Sequence, residues 1–107
     1  YAENNGNIDV ALSLAETAKS ALPEDSAVSD TLGWIYYKKQ AYLKAVSLFK
    51  ESLEKVSDNP VVHYHLGMAY YKKGDKKLAK QELETSLKIK KDYPGAEDAR
   101  AVLKKLG

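Results

Sequence analysis

Leu32-Gly33-Trp34-Ile35-Tyr36-Tyr37-Lys38-Lys39 returns 34 residues later as Leu66-Gly67-Met68-Ala69-Tyr70-Tyr71-Lys72-Lys73, and this return decides the fold. The same shift aligns Val28 with Val62, Ala45 with Ala79, Ser52-Leu53 with Ser86-Leu87 and Asp58 with Asp92. Eleven of 34 positions are identical between the two units. A step back from Ala45 and Leu48 gives Ala11 and Leu14, and a step forward from Pro60 gives Pro94. Self-similarity at a fixed step of this length marks an array of stacked units, none of which buries its apolar face alone.

Each unit reads as two amphipathic helices joined by a short turn. In the middle unit Val28, Leu32, Ile35, Tyr36 and Lys39 share one side of a 3.6-residue helix. Ala45, Leu48, Phe49, Ser52, Leu53 and Val56 form the stripe of the second. Between them Lys39-Gln40-Ala41 answers to Lys73-Gly74-Asp75, where Gly74 suits a helix C-terminus. Pro60 and Pro94 sit where a first helical turn tolerates proline. The pattern predicts helices near 7–21, 26–39, 42–56, 60–73, 76–90 and 95–106 and no strand, hence an all-α fold. Gly33 and Gly67 let the first helix come close to its neighbour, at a propensity cost of about 1 kcal/mol each. Ala45 and Ala79 offer the matching shallow surface, and Tyr36 and Tyr70 fill the space beside them.

Leu-Gly-x-x-Tyr followed by Ala, a bulky residue four on and a small one three further resembles the tetratricopeptide repeat signature. It reads Leu32, Gly33, Tyr36, Ala45, Phe49, Ser52 and again Leu66, Gly67, Tyr70, Ala79, Leu83, Ser86. The first unit keeps only its second half, in Gly6, Ala11, Ala15, Ala18 and Pro23. The usual early tryptophan is replaced by Ser29 and His63, and the usual late proline by Ser57 and Lys91. The resemblance implies a right-handed solenoid of antiparallel helix pairs. A partial repeat is expected over 1–25, repeats over 26–59 and 60–93, and a capping helix over 94–107. Tyr1-Ala2-Glu3-Asn4-Asn5 reads as the tail of a preceding helix, so the chain reads as a fragment of a longer array. Residues 92–100 resemble the C-terminal end of long bacterial repeat proteins. Residues 30–37 resemble the last repeats of exosortase-associated (PEP-CTERM system) lipoproteins, which implies the periplasm or the periplasmic face of the outer membrane.

Composition narrows the function classes. The 107 residues are 44% hydrophobic and 30% charged, as in a single globular domain. No stretch approaches the roughly 20 apolar residues that cross a bilayer, so no membrane insertion is expected from this segment. Without cysteine there is no thiolate metal site and no thiol nucleophile. His63 and His65 lie two apart, off the i, i+4 spacing of zinc-binding helices, so no metal is expected. A net charge of +2 falls short of a nucleic-acid footprint, and the repeated Lys-Lys pairs read as solvated helix ends. The charge is uneven: −5 over residues 1–37 and +7 over 38–107, a gradient suited to steering an acidic partner or to head-to-tail contact. Glu16, Glu51, Glu54, Glu82 and Glu84 read as solvated surface on second helices. With no phosphate loop and no nucleophile motif, no catalytic residue and no cofactor are expected.

Function is expected on the first helices, opposite the core stripe. That face reads Ala27, Asp30, Trp34, Tyr37 and Lys38 in the middle unit and Val61, Tyr64, Met68, Tyr71 and Lys72 in the next. Asp98, Val102 and Lys105 extend it onto the cap. Rings and methionine where water alone would select polar residues point to a protein or peptide partner in a concave groove. The candidate partner-binding set is Asp30, Trp34, Tyr37, Lys38, Tyr64, Met68, Tyr71 and Lys72. Trp34 and Met68 also admit a core reading, because first helices pack sideways. Heat-shock carboxylate clamps use lysine, asparagine and arginine at first-helix positions held here by Asp30, Thr31, Val61 and His65, so the two full units lack the clamp. Two other roles fit the same sequence: self-assembly through the uncovered first unit, and a non-catalytic arm of a larger enzyme or export machinery.

Overall fold

A computed structural model describes the backbone of residues 2–107 and the side chains from Asn7 onward. Among the described residues there are six helices and no strand. They are α1 (Ala2–Ala21), α2 (Ser26–Lys38), α3 (Tyr42–Lys55), α4 (Pro60–Lys73), α5 (Lys76–Ile89) and α6 (Ala96–Leu106). Five of the six start and stop within a residue of the expected bounds; α1 begins at Ala2 rather than near residue 7. Residues 2–5 run without a break into α1, which corrects the reading of Tyr1 to Asn5 as the tail of a separate preceding helix; Tyr1 itself and the packing role given to Gly6 lie outside what is described.

Local chemistry sets the boundaries. Asp25 caps α2 by accepting a hydrogen bond from the Val28 N–H at 3.0 Å, and Asn59 caps α4 through Val61 and Val62. Pro60 occupies the first turn of α4, where its missing N–H has no intrahelical partner to lose. Gly74 ends α4 in the left-handed region at φ 96°, and Gln40 takes the same place after α2 at φ 66°.

The helices pair in sequence order, α2 on α3 and α4 on α5, and α3 lies against α4 to join the pairs. Close approach depends on the small residues. A Cβ on Gly33 would stand 2.7 Å from Phe49 Cε1, and one on Gly67 would stand 2.8 Å from Leu83 Cδ2. Phe49 and Leu83, beneath those glycines, are fully buried, as are Ala45 and Ala79. Burial of a Phe or Leu side chain contributes about 1.5–3 kcal/mol, which exceeds the helix-propensity cost of the glycine that permits it.

Polar ties lock the loops onto this core. Ser52 Oγ–H donates to the Ser26 carbonyl at 2.9 Å; its counterpart Ser86 donates to the Leu83 carbonyl and meets the Tyr93 hydroxyl, each at 2.7 Å. Lys19 Nζ gathers the Pro23 carbonyl, Ser29 Oγ and Glu51 Oε1 within 2.8 Å, fastening α1 and its following loop to α3. Three of the glutamates expected to be merely solvated are therefore tie points. Glu51 holds Lys19, Glu16 accepts from the Tyr36 hydroxyl at 2.6 Å, and half-buried Glu82 accepts from His63 Nδ1–H at 2.7 Å.

The last helix matters most for the site. α6 packs on α4 and α5, and Tyr64, Met68, Leu83, Tyr93, Ala96, Ala99 and Val102 close into one apolar cluster. Its solvent side carries Glu97, Arg100, Lys104 and Lys105.

Candidate functional site

The first-helix face of the middle unit is a ladder of rings. Trp34 stacks on Tyr37 one turn along α2, with centroids 4.4 Å apart and planes 4° from parallel. On its other side the His65 imidazole of α4 lies 4.1 Å away at 22°. Tyr37 turns the edge of the ladder toward Tyr42 at the start of α3, 5.7 Å distant at 61°. Spacing explains the first contact, since residues three apart on a helix are neighbours. Stacking of His65 comes from the packing of α4 beside α2, which no spacing within one helix encodes.

Each expected residue has a definite place. Trp34, Tyr37 and Tyr71 are half-buried, with part of each ring in contact with the clusters on either side of the α2–α4 seam. Lys38 and Lys72 are exposed, and among the described residues neither pairs with a carboxylate. Lys72 Nζ lies 6.0 Å from the Tyr71 ring centroid. Asp30 is half-buried and spends its carboxylate internally, accepting from His65 Nδ1–H at 2.8 Å. It orients the ring that supports Trp34.

Tyr64 and Met68 are corrected from groove to core. They are only 7% and 6% exposed, because α6 lies across α4 and covers them. The Tyr64 hydroxyl donates to Asp98 Oδ2 of α6 at 2.7 Å, so α6 is fastened through the residue it covers. Val102, expected on the same face, is buried for the same reason.

His65 and Tyr42 belong to this surface and were not among the expected residues. His65 sits one position after Tyr64, where the middle unit has Thr31, and its alignment partner gives no hint of stacking. Tyr42 faces Lys76 in the repeat comparison, so the periodic signal passes over it. The two histidines do point apart. His63 Nδ1 meets Glu82 of α5 and its Nε2 meets the Ser57 carbonyl at 2.7 Å, while His65 turns to α2.

Electrostatics separate the rings. Burial pushes the Tyr37 hydroxyl up to about 12, with Tyr42 and Asp98 adding to the shift. Tyr64 is raised as well, first by burial and then by its hydrogen bond to Asp98. Both therefore stay neutral hydrogen-bonding groups at ordinary pH. No group of three or more potential metal ligands occurs among the described residues, and none of their helices is long and apolar enough to cross a membrane.

The TPR repeat profile matches residues 33–74, and a second profile, Tetratricopeptide repeat, matches residues 61–93. The chain carries tetratricopeptide repeats. It is 32% identical over 72 residues to the human (Homo sapiens) Superkiller complex protein 3, a match covering 67% of this chain and 5% of that protein. The chain thus spans about one-twentieth of that relative's length. The solved structure of the first TPR of Spaghetti (RPAP3) bound to the HSP90 peptide SRMEEVD superposes with a TM-score of 0.86 at 16% identity. That superposition covers 96% of this chain and 79% of the other. PcrH in complex with the chaperone-binding region of PopD superposes at 0.82 with 17% identity, over 97% of this chain and 81% of PcrH. The tetratricopeptide fold accordingly holds for the described residues, with their six helices and no strand.

Proposed function

We propose that this segment is a non-catalytic protein-interaction scaffold that takes a peptide or partner protein along the first-helix face. The observation that carries the reading is the half-exposed Trp34–Tyr37 stack, braced by His65 and flanked by the unpaired ammonium groups of Lys38 and Lys72. Rigid rings offered with part of their area open anchor partners at little cost in conformational entropy. Fold neighbours whose structures hold an HSP90 peptide and a chaperone-binding region support the class of ligand without naming this one. The binding set becomes Trp34, Tyr37, Lys38, Tyr71 and Lys72, with Asp30 and His65 as positioning residues and the repeat units at 26–59 and 60–93.

The test is a photo-crosslinking residue placed at Lys38 or Tyr71 of the full protein and, as control, at Glu54 on the exposed side of α3. Partner adducts are expected from the first two positions only. Adducts formed equally from Glu54 would refute the groove.

A second reading has its own observation. Val10 and Leu14 on α1 are 61% and 67% exposed, and such a face suits self-association. A sedimentation profile that stays monomeric over a wide concentration range removes it. An origin among exosortase-associated bacterial lipoproteins, with periplasmic placement, rests on residues 30–37 alone. A role as the arm of a larger enzyme or export machine rests on the array architecture.

A further inference from the structure

The ring ladder does not end at Tyr37. Across a recess of about 440 Å³, the α2–α3 turn and first turn of α3 (residues 40–44) face Lys72 and Lys73 at the end of α4. Three of the side chains lining it are lysines and none is acidic. Lys73 is neutralised by Asp75 at 2.8 Å. Lys44 Nζ lies 5.1 Å over the Tyr36 ring and Lys72 Nζ lies near Tyr71, and neither has a carboxylate partner among the described residues. Between them Leu43 is 73% exposed, at a position where the next unit places Lys77. A lone surface leucine needs no explanation. This one stands beside the Tyr42 ring, whose contact with Tyr37 carries the aromatic surface unbroken from Trp34 to the lysines.

We propose that this recess is a docking subsite for an acidic peptide segment carrying an aliphatic side chain. Carboxylates face Lys72 and Lys44, the aliphatic group lies on Leu43 and Tyr42, and the peptide continues over Tyr37 and Trp34. The proposal rests on the groove reading and adds the chemistry of the ligand and its polarity along the face. Charge complementarity chooses the occupant, since a basic segment would meet the two unpaired ammonium groups of Lys44 and Lys72, with the one nearby carboxylate, Asp75, already held by Lys73. Exposed ion pairs are individually weak and screened by salt, so the recess orders and steers the segment while the rings anchor it. These lysines sit at the turn end of the units, away from the Asp30, Thr31, Val61 and His65 positions considered for a carboxylate clamp.

The experiment uses the whole chain and two fluorescein-labelled peptides, Glu-Leu-Asp-Glu-Ile-Glu-Asp and its amide analogue Gln-Leu-Asn-Gln-Ile-Gln-Asn, read by fluorescence anisotropy at low and high salt. The acidic peptide is expected to bind about tenfold more tightly at low salt, an advantage that salt erases. Lys44→Glu with Lys72→Glu should remove the preference, and Leu43→Asp should weaken binding of both peptides. All three side chains are exposed, and an unchanged circular-dichroism melt verifies folding. Equal binding of the two peptides, lost in Tyr37→Ala, overturns the recess and leaves the groove standing. Absence of binding by either peptide, with partner crosslinks still formed at Lys38, likewise overturns the recess alone. Concentration-dependent association abolished by Leu43→Asp would assign the surface to a second copy and overturn the proposal.

Discussion

The His65 imidazole lies 4.1 Å from the Trp34 indole, and the same imidazole is held by Asp30 through a 2.8 Å hydrogen bond. One unit thus supplies both the ring and the carboxylate, and the next supplies the group between them. The orientation of Trp34 is consequently set across the boundary between units. Aromatic pairs contribute about 0.5–1.5 kcal/mol beyond their buried area. A double-mutant cycle of Trp34→Ala and His65→Ala, followed by urea unfolding, should return a coupling of that size. A coupling near zero would mean the stack is a geometric coincidence. Because Trp34 is half-buried, its alanine variant should also lose about 2 kcal/mol of stability, so its binding defect needs the milder Tyr71→Ala beside it.

Gln40 holds the left-handed conformation that Gly74 holds one unit later. A side chain in that region costs about 1–2 kcal/mol, less where the turn hydrogen bonds are strong. Gln40→Gly should therefore stabilise the protein by about 0.5–1 kcal/mol, visible as a higher denaturation midpoint. The reverse change, Gly74→Gln, should destabilise by a similar amount, since nothing stands within 4 Å of the added carbon and only backbone strain remains. A stabilised Gly74→Gln would contradict the argument.

Gly67→Ala sets two effects of opposite sign against each other. Helix propensity favours alanine by about 1 kcal/mol. The new methyl would sit 2.8 Å from Leu83, which is fully buried and has little room to move, and overpacking costs about 1–3 kcal/mol. Net destabilisation is expected. Combining it with Leu83→Val should cost less than the sum of the two single changes. Strict additivity in thermal or urea unfolding would show that Gly67 is not at the point of closest approach.

Alkaline titration has a definite sign. Burial raises the Tyr37 hydroxyl from the ordinary phenol value to about 12, and Tyr64 is raised too. In the unfolded chain these phenols ionise near 10, so above that pH the folded state binds more protons. Both contributions are whole below about pH 10; that of Tyr37 is lost as pH climbs toward 12, and that of Tyr64, raised further, outlasts it. Tyr37→Phe should flatten the fall in stability between those limits. An unchanged slope would mean that Tyr37 ionises freely in the folded state.

Helix order and most bounds were legible because the repeat carries its boundary marks in register: Gly74 marked the turn that Gln40 only hints at, and Pro60 marked the start of α4, while the start of α1 had no such mark. The core stripes were legible for the same reason, in the return of Leu32, Ala45 and Phe49 as Leu66, Ala79 and Leu83; that the glycines face Phe49 and Leu83, and not Ala45 and Ala79, emerged only in the structure. The site was legible only in the middle unit. Tyr64 and Met68 have the same register as Asp30 and Trp34, and periodicity assigns them the same face. What differs is what the following helix carries: α6 closes Ala99, Val102 and Asp98 around Tyr64 and Met68, whereas α4 sets the His65 and Tyr64 rings against Trp34 and leaves it half-buried. His65 was missed because its partners, Trp34 and Asp30, are 31 and 35 residues away, and a lone histidine on a helix carries no mark of its neighbours.

The covering of Tyr64 and Met68 by α6 has a corollary for how such arrays grow. The face left half-open on α2 is buried on α4, where α6 uses it as glue. Whether a first-helix face stays open or is sealed is decided by the side chains that the following first helix sets against it. Reach along the trough is thus written one unit downstream of the rings that line it.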